Sequence, residues 1–125
     1  MRIFIIDDDE LSAFLTQAVL LLEDATLDIR CFLSAGKALE ALTKEGAASK
    51  PDAMLLDLNM PVMDGWAFLD AMTGRAPELI GRCSIYVLSS SIDPVDEQRA
   101  DEHPSVTGYF YKPIETENIK LILGT

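Results

Sequence analysis

The stretch AMLLDLNMPVMDGW, residues 53–66, decides how the chain folds. Its first four residues are apolar without alternation, the mark of a strand buried on both faces. The run stops at Asp57. Met60-Pro61 then marks a turn, and Gly65-Trp66 opens a run that reads as a helix to about Thr73. A doubly buried strand followed by a helix is the unit from which parallel sheets are built.

The same unit recurs on either side. Arg2 to Ile6 is a strand, and Glu10 to Glu23 a helix with Leu11, Phe14, Leu15, Ala18 and Leu22 at helical spacing. Leu27 to Phe32 is a second strand, after which Ser34 can cap a helix to about Lys44. Ser84 to Leu88 is a fourth strand. Asp93-Pro94 is a strong helix start, with a capping side chain followed by proline in the first turn. That helix ends near His103-Pro104. Val106 to Tyr111 is the fifth strand, and a short helix runs from Ile114 to Leu123. Five β-then-α units predict an α/β domain over 1–125, its parallel sheet covered on both faces. Right-handed crossovers leave few topologies for it. In such sheets the functional site lies at the carboxyl ends of the strands.

Composition narrows the partners. The chain has 125 residues, 49% hydrophobic, which is enough for a real core. Its net charge of −11 disfavours nucleic acid and anionic membranes and favours cations and basic partners. One histidine and no CxxC pair leave too few ligands for zinc. Cys31 and Cys83 read as separate core thiols, suited to a reducing cytoplasm. The N-terminal apolar run is too short for a signal peptide, and no stretch approaches membrane-spanning length. These features predict a soluble cytoplasmic protein.

The strand ends carry the chemistry. Asp7, Asp8, Asp9 and Glu10 follow the first strand, and Asp57 and Asn59 the third. Ser89, Ser90 and Ser91 follow the fourth, and Lys112-Pro113 the fifth. Each residue alone has a plainer account: acids before a helix favour its dipole, a serine caps, a lysine is solvated. Those accounts fail jointly, because every one of these residues falls at one edge of one sheet. Carboxylates held within a few ångströms repel one another until they take up protons or bind a cation. Hard oxygen ligands without histidine or thiolate favour Mg²⁺. An aspartate nucleophile, a metal, an ammonium and a hydroxyl together suit phosphoryl transfer to a carboxylate.

At these positions the sequence resembles the receiver domains of two-component response regulators, the CheY-like family. The segments are IIDDDE at 5–10, LLDLNMPVMDGW at 55–66, YVLSSS at 86–91 and GYFYKPI at 108–114. The resemblance implies a flavodoxin-like fold with strand order 2-1-3-4-5. It implies that Asp57 is phosphorylated, that Asp7 and Asp8 hold Mg²⁺ with Asp57, and that Asn59 offers its main-chain carbonyl. Ser89 takes the hydroxyl position, where threonine is also usual, and Lys112 the paired lysine, with a cis bond to Pro113. Tyr109 takes the aromatic switch position, coupled to Ser89, so that phosphorylation reshapes the face of the fourth helix, fifth strand and fifth helix. Asn59 and Ser91 lie where phosphoryl lifetime is tuned. The implied donor is a sensor histidine kinase or a histidine phosphotransfer protein, meeting the first helix and the loop after the fifth strand. A downstream protein would read the result. No substrate turnover beyond the domain's own phosphorylation and dephosphorylation is implied, and the chain looks like a stand-alone receiver.

Three rivals remain. A phosphatase of the haloacid-dehalogenase type wants a general acid two residues after the nucleophile, where this chain has Asn59. A flavodoxin-like cofactor binder wants a phosphate loop after the first strand, where this chain has four acids. The third is a receiver-like docking module that works without phosphorylation. Trp66 reads as a packing residue and His103 as a charge at a helix end.

Overall fold

The structure, a computed structural model, describes residues 1–44, 50–79, 81–90 and 92–124. Ser91 lies outside the described residues. Strands β1 (Arg2–Ile6), β2 (Asp28–Phe32), β3 (Ala53–Leu56), β4 (Ser84–Ser89) and β5 (Gly108–Tyr111) form one sheet in the order 2-1-3-4-5, every neighbour parallel. Helices α1 (Glu10–Glu23), α2 (Ala35–Lys44), α3 (Gly65–Arg75) and α4 (Pro94–Glu102) form the crossovers, and α5 (Thr116–Leu123) follows the last strand.

Alternate residues of each strand enter opposite cores, as the pleat requires. Phe4, Ile6, Met54, Leu56, Ile85 and Val87 pack with α2, α3 and Ala100 of α4. Ile3, Ile5, Leu55, Tyr86, Leu88 and Phe110 pack with α1 and α5. Burial on both faces explains the unbroken apolar runs of the inner strands. No helix among the described residues is long and apolar enough to cross a membrane.

The helix starts follow local chemistry. Asp9 Oδ1 accepts from the Leu11 and Ser12 amides, Asp64 Oδ1 from Ala67 and Asp93 Oδ1 from Val95, each capping a helix. Ser34 Oγ accepts from Lys37. The last helix starts at Thr116 rather than Ile114. Ile114 is instead buried in the core, and Asn118 Oδ1 accepts from the Glu115 amide to open the helix. A 3-10 turn at Pro77–Leu79 was not legible in the sequence.

Two expectations need correction. The stripe Leu11, Phe14, Leu15 and Leu22 does not face the sheet; all four are exposed, and α1 buries Ala13, Thr16 and Leu20 instead. Because α1 is apolar nearly all round, spacing alone does not select a face. The small Ala13 and Thr16 let the helix lie close to the sheet. Cys31 is not a core thiol either. It lies exposed on β2, an edge strand, and its Sγ reaches Gln17 Oε1 at 3.5 Å. Cys83 is buried as expected.

Candidate functional site

β1 and β3 are neighbours in register, so their carboxyl ends bring Asp7 and Asp57 side by side. The Asp57 amide donates to Ile6 O at 2.9 Å, continuing the ladder by one residue and fixing where the carboxylate leaves the sheet. Both acids are buried, Asp7 3% and Asp57 7% exposed, while Asp8 stands in solvent at the mouth. One carboxylate oxygen from each of Asp7, Asp8 and Asp57 lies within 4.8 Å of the others.

Lys112 enters from the end of β5. Its Nζ donates to Asp7 Oδ2 at 2.7 Å and stands 3.7 Å from Asp57 Oδ2. The Lys112 amide donates to Ser89 O at 2.9 Å, so the two strand ends are tied together. The Lys112-Pro113 bond is cis, as expected. Ser89 closes β4 with no exposure at all. Its hydroxyl and the Tyr109 phenol are hydrogen bonded.

The electrostatics divide the two buried acids. Burial alone would raise Asp7, but the bond from Lys112, the Asp9 amide and Ser12 hold it below the ordinary aspartate value. Asp57 is pushed up to about 6. Burial is the main cause, Lys112 and the Asn59 amide relieve part of it, and the Asp7 charge adds to it. The lysine sits closer to Asp7, so Asp57 carries most of the unbalanced cost.

The loop after β3 has two features the sequence reading missed. Gly65 lies against the backbone of the site: a Cβ there would stand 2.8 Å from Asp57 O and 2.9 Å from Leu58 Cα. The Gly65 amide donates to Leu58 O at 3.0 Å, closing the loop. Glycine is therefore needed for close approach. Val62 is fully exposed with φ +68°, a left-handed conformation that β-branched residues rarely adopt. Nothing in a valine announces that conformation.

Each residue singled out in the sequence has a place here. Asp7, Asp8, Asp57 and Lys112 are gathered at one end of the sheet. Asn59 is exposed at its rim, its amide donating to Asp57 Oδ1 at 3.3 Å. Asp9 stands apart from its neighbours as the α1 cap. Trp66 is buried and packs as expected, with the Arg99 guanidinium 4.4 Å from its ring centre. His103 caps α4, and its Nδ1 accepts from the Ser105 amide at 3.1 Å.

Known proteins resemble the chain over nearly its whole length. A two-component response regulator from Cytophaga hutchinsonii superposes with a TM-score of 0.91 at 26% identity, covering 98% of this chain and 93% of its own. A response regulator receiver protein from Dyadobacter fermentans gives 0.83 at 29% identity, covering 98% of each. Among characterised proteins, the sensory/regulatory protein RpfC of Xanthomonas campestris is 29% identical over 114 residues, 91% of this chain. The chain spans only about 15% of that protein's length. The sequence model of the response regulator receiver domain matches residues 3–123, and the chain belongs to that family, the receiver domains of two-component signalling systems.

Proposed function

We propose that Asp57 is the phosphoacceptor, that Asp7, Asp8, Asp57 and the Asn59 carbonyl hold Mg²⁺, and that Lys112 and Ser89 receive the phosphoryl oxygens. The observation that carries this is the placement of one ammonium between two buried carboxylates, 2.7 Å from one and 3.7 Å from the other. Three carboxylates against one lysine leave the pocket negative, and every donor is a hard oxygen, which fits Mg²⁺. When bound, the metal supplies positive charge for the phosphoryl oxygens.

In the transfer, an Asp57 oxygen forms a bond to phosphorus while the bond from phosphorus to the donor's imidazole nitrogen breaks. The electron pair returns to the imidazole. Asp57 is oriented by its bond from the Asn59 amide. Lys112 balances charge on the moving group without leaving Asp7. The donor in this reading is a sensor histidine kinase or a histidine phosphotransfer protein. Its approach is supported by the exposed apolar stripe of α1, which continues into Pro113 and Ile114 beside Lys112.

The switch follows from Ser89. Its hydroxyl is engaged with Tyr109, so turning it to a new phosphoryl oxygen releases the phenol. The ring then re-seats between β5 and α4 and shifts the population of that face. A downstream protein reads the change, in the cytoplasm, and no separate substrate is turned over.

The test is intact mass after incubation with acetyl phosphate, with and without Mg²⁺, beside Asp57→Asn. One phosphoryl adduct that needs Mg²⁺ and is missing in the variant supports the proposal. No adduct, repeated with phosphoramidate, would leave a docking module that works without phosphorylation.

A further inference from the structure

Between α4 and β5 lies a groove of about 530 Å³. Its floor is apolar, made by Ala100, Val106, Gly108 and the Tyr109 ring, and Glu97 and Asp101 stand exposed on its α4 side. From the cap Asp93 to Glu102, α4 and its start carry five acids and one base, Arg99. That base is spent elsewhere, its guanidinium lying over Trp66 at 4.4 Å. Glu97 Oε2 accepts a short hydrogen bond from the Tyr111 hydroxyl, which holds the carboxylate at the groove and leaves its charge in place. Asp101 has no basic partner within ion-pair distance among the described residues.

We infer that this groove takes a short basic segment of another protein, lysine- or arginine-bearing with an apolar residue for the floor. The inference rests on the switching face proposed above and adds the chemistry of its occupant. Charge selects among the candidates. A second copy would bring the same acidic helix against itself, at a net charge of −11 per chain. A nucleic acid or anionic membrane is repelled for the same reason. An uncharged apolar peptide would fill the floor but leave Glu97 and Asp101 beside an unpaired surface. A basic segment meets both. The Tyr109 ring forms one wall of the groove while its hydroxyl is bonded to Ser89. Withdrawing Ser89 toward a phosphoryl group therefore changes the wall that the segment touches.

The probe is a labelled twelve-residue peptide alternating lysine or arginine with leucine, beside the same peptide with glutamate at the basic positions. Binding is read by anisotropy and located by amide shifts on the full chain, with and without beryllofluoride and Mg²⁺. Expected are shifts confined to residues 97–109, no binding of the acidic peptide, and at least a threefold change in affinity with beryllofluoride. Glu97→Gln with Asp101→Asn should weaken binding about fivefold, and the Tyr111 bond survives because glutamine still accepts it. A double neutralisation of equal charge on α2 and the 3-10 turn, Glu40→Gln with Glu78→Gln, should change it less than twofold. Diffuse shifts, equal losses in the two double variants, or a dimer formed with beryllofluoride in place of peptide binding would overturn the inference. Intact mass of the same protein after acetyl phosphate and Mg²⁺ separates the two proposals. A phosphorylated Asp57 with an empty groove refutes the groove alone, and groove binding without any Asp57 adduct refutes the phosphoacceptor alone.

Discussion

Replacing Asp57 by asparagine should stabilise the metal-free protein above neutral pH. Asp57 ionises at about 6 in the folded chain against 3.8 in the unfolded one. The folded state therefore holds this proton more tightly, and the contribution to stability falls as pH rises from about 4 through 6. Two units correspond to roughly 3 kcal/mol at most. The pocket opens to solvent beside the exposed Asp8, so about 1–2 kcal/mol is the magnitude to expect after screening. Asparagine keeps the shape, still accepts from the Asn59 amide, and leaves Lys112 with its closer partner Asp7. Thermal unfolding with a chelator should give Asp57→Asn a melting point about 3–8 °C higher at pH 7.5. The gain should shrink through pH 6 and be largely gone near pH 4, where Asp57 is protonated in the folded chain. Mg²⁺ should narrow the gap from the other side, since a ligand at ten times its Kd contributes about 1.4 kcal/mol. Equal melting points at pH 7.5, or a gain undiminished at pH 4, would refute the claim that Asp57 carries the unbalanced charge.

Three further perturbations separate strain, close packing and exposure. Val62→Gly should raise the urea midpoint by about 1 kcal/mol equivalent, because relief at φ +68° outweighs the added freedom of the unfolded chain; a lower midpoint would mean the turn needs valine. Gly65→Ala should cost about 2–3 kcal/mol in the same assay and slow acetyl phosphate labelling, since its methyl meets Asp57 O at 2.8 Å; an unchanged labelling rate would show that the loop gives way without moving Asp57. On α1, Leu20→Ala should cost about 3 kcal/mol and Leu22→Lys less than about 0.5 in chemical unfolding; the opposite ranking would restore the face expected from spacing.

Much of this was legible because the chain is locally consistent. The runs at 53–56 and 84–88 read as doubly buried strands, and Asp57 follows directly where the first stops, as Lys112 does after the fifth strand. Caps at Ser34 and Asp93 carry their own chemistry. What stayed hidden depends on the third dimension. The face of α1 is degenerate in a helix whose residues are apolar on both sides, so Ala13 and Thr16 are chosen by the closeness of the sheet and not by hydropathy. Cys31 looks like a core residue until β2 is known to lie at an edge. The roles of Asp7 and Asp9, two residues apart and chemically identical, separate only when one faces Lys112 and the other the first turn of α1. The bond between Ser89 and Tyr109 joins positions twenty residues apart; the family resemblance implied that coupling, but nothing in either segment alone announces it.

The exposed stripe of α1 is the feature that fold stability explains least. Leu11, Phe14, Leu15 and Leu22 are exposed and belong to neither core cluster, so polar residues there would leave the sheet covered as before. They nonetheless form one continuous strip, about 16 Å long at the helical rise. Its near end is not a random point on the surface. Leu11, Leu15 and Val19 line a groove with Pro113 and Ile114, and the same groove is bounded by Asp9 and Lys112. A helix laid along that strip would end at the mouth of the pocket that holds Asp57. The crowded carboxylates at that mouth and the bare strip beside it are two departures from what stability alone would choose, and they adjoin. Departures of that kind, placed together, are what a reaction between two docked proteins requires: one surface to hold the donor in register and one set of charges ready to receive what it carries.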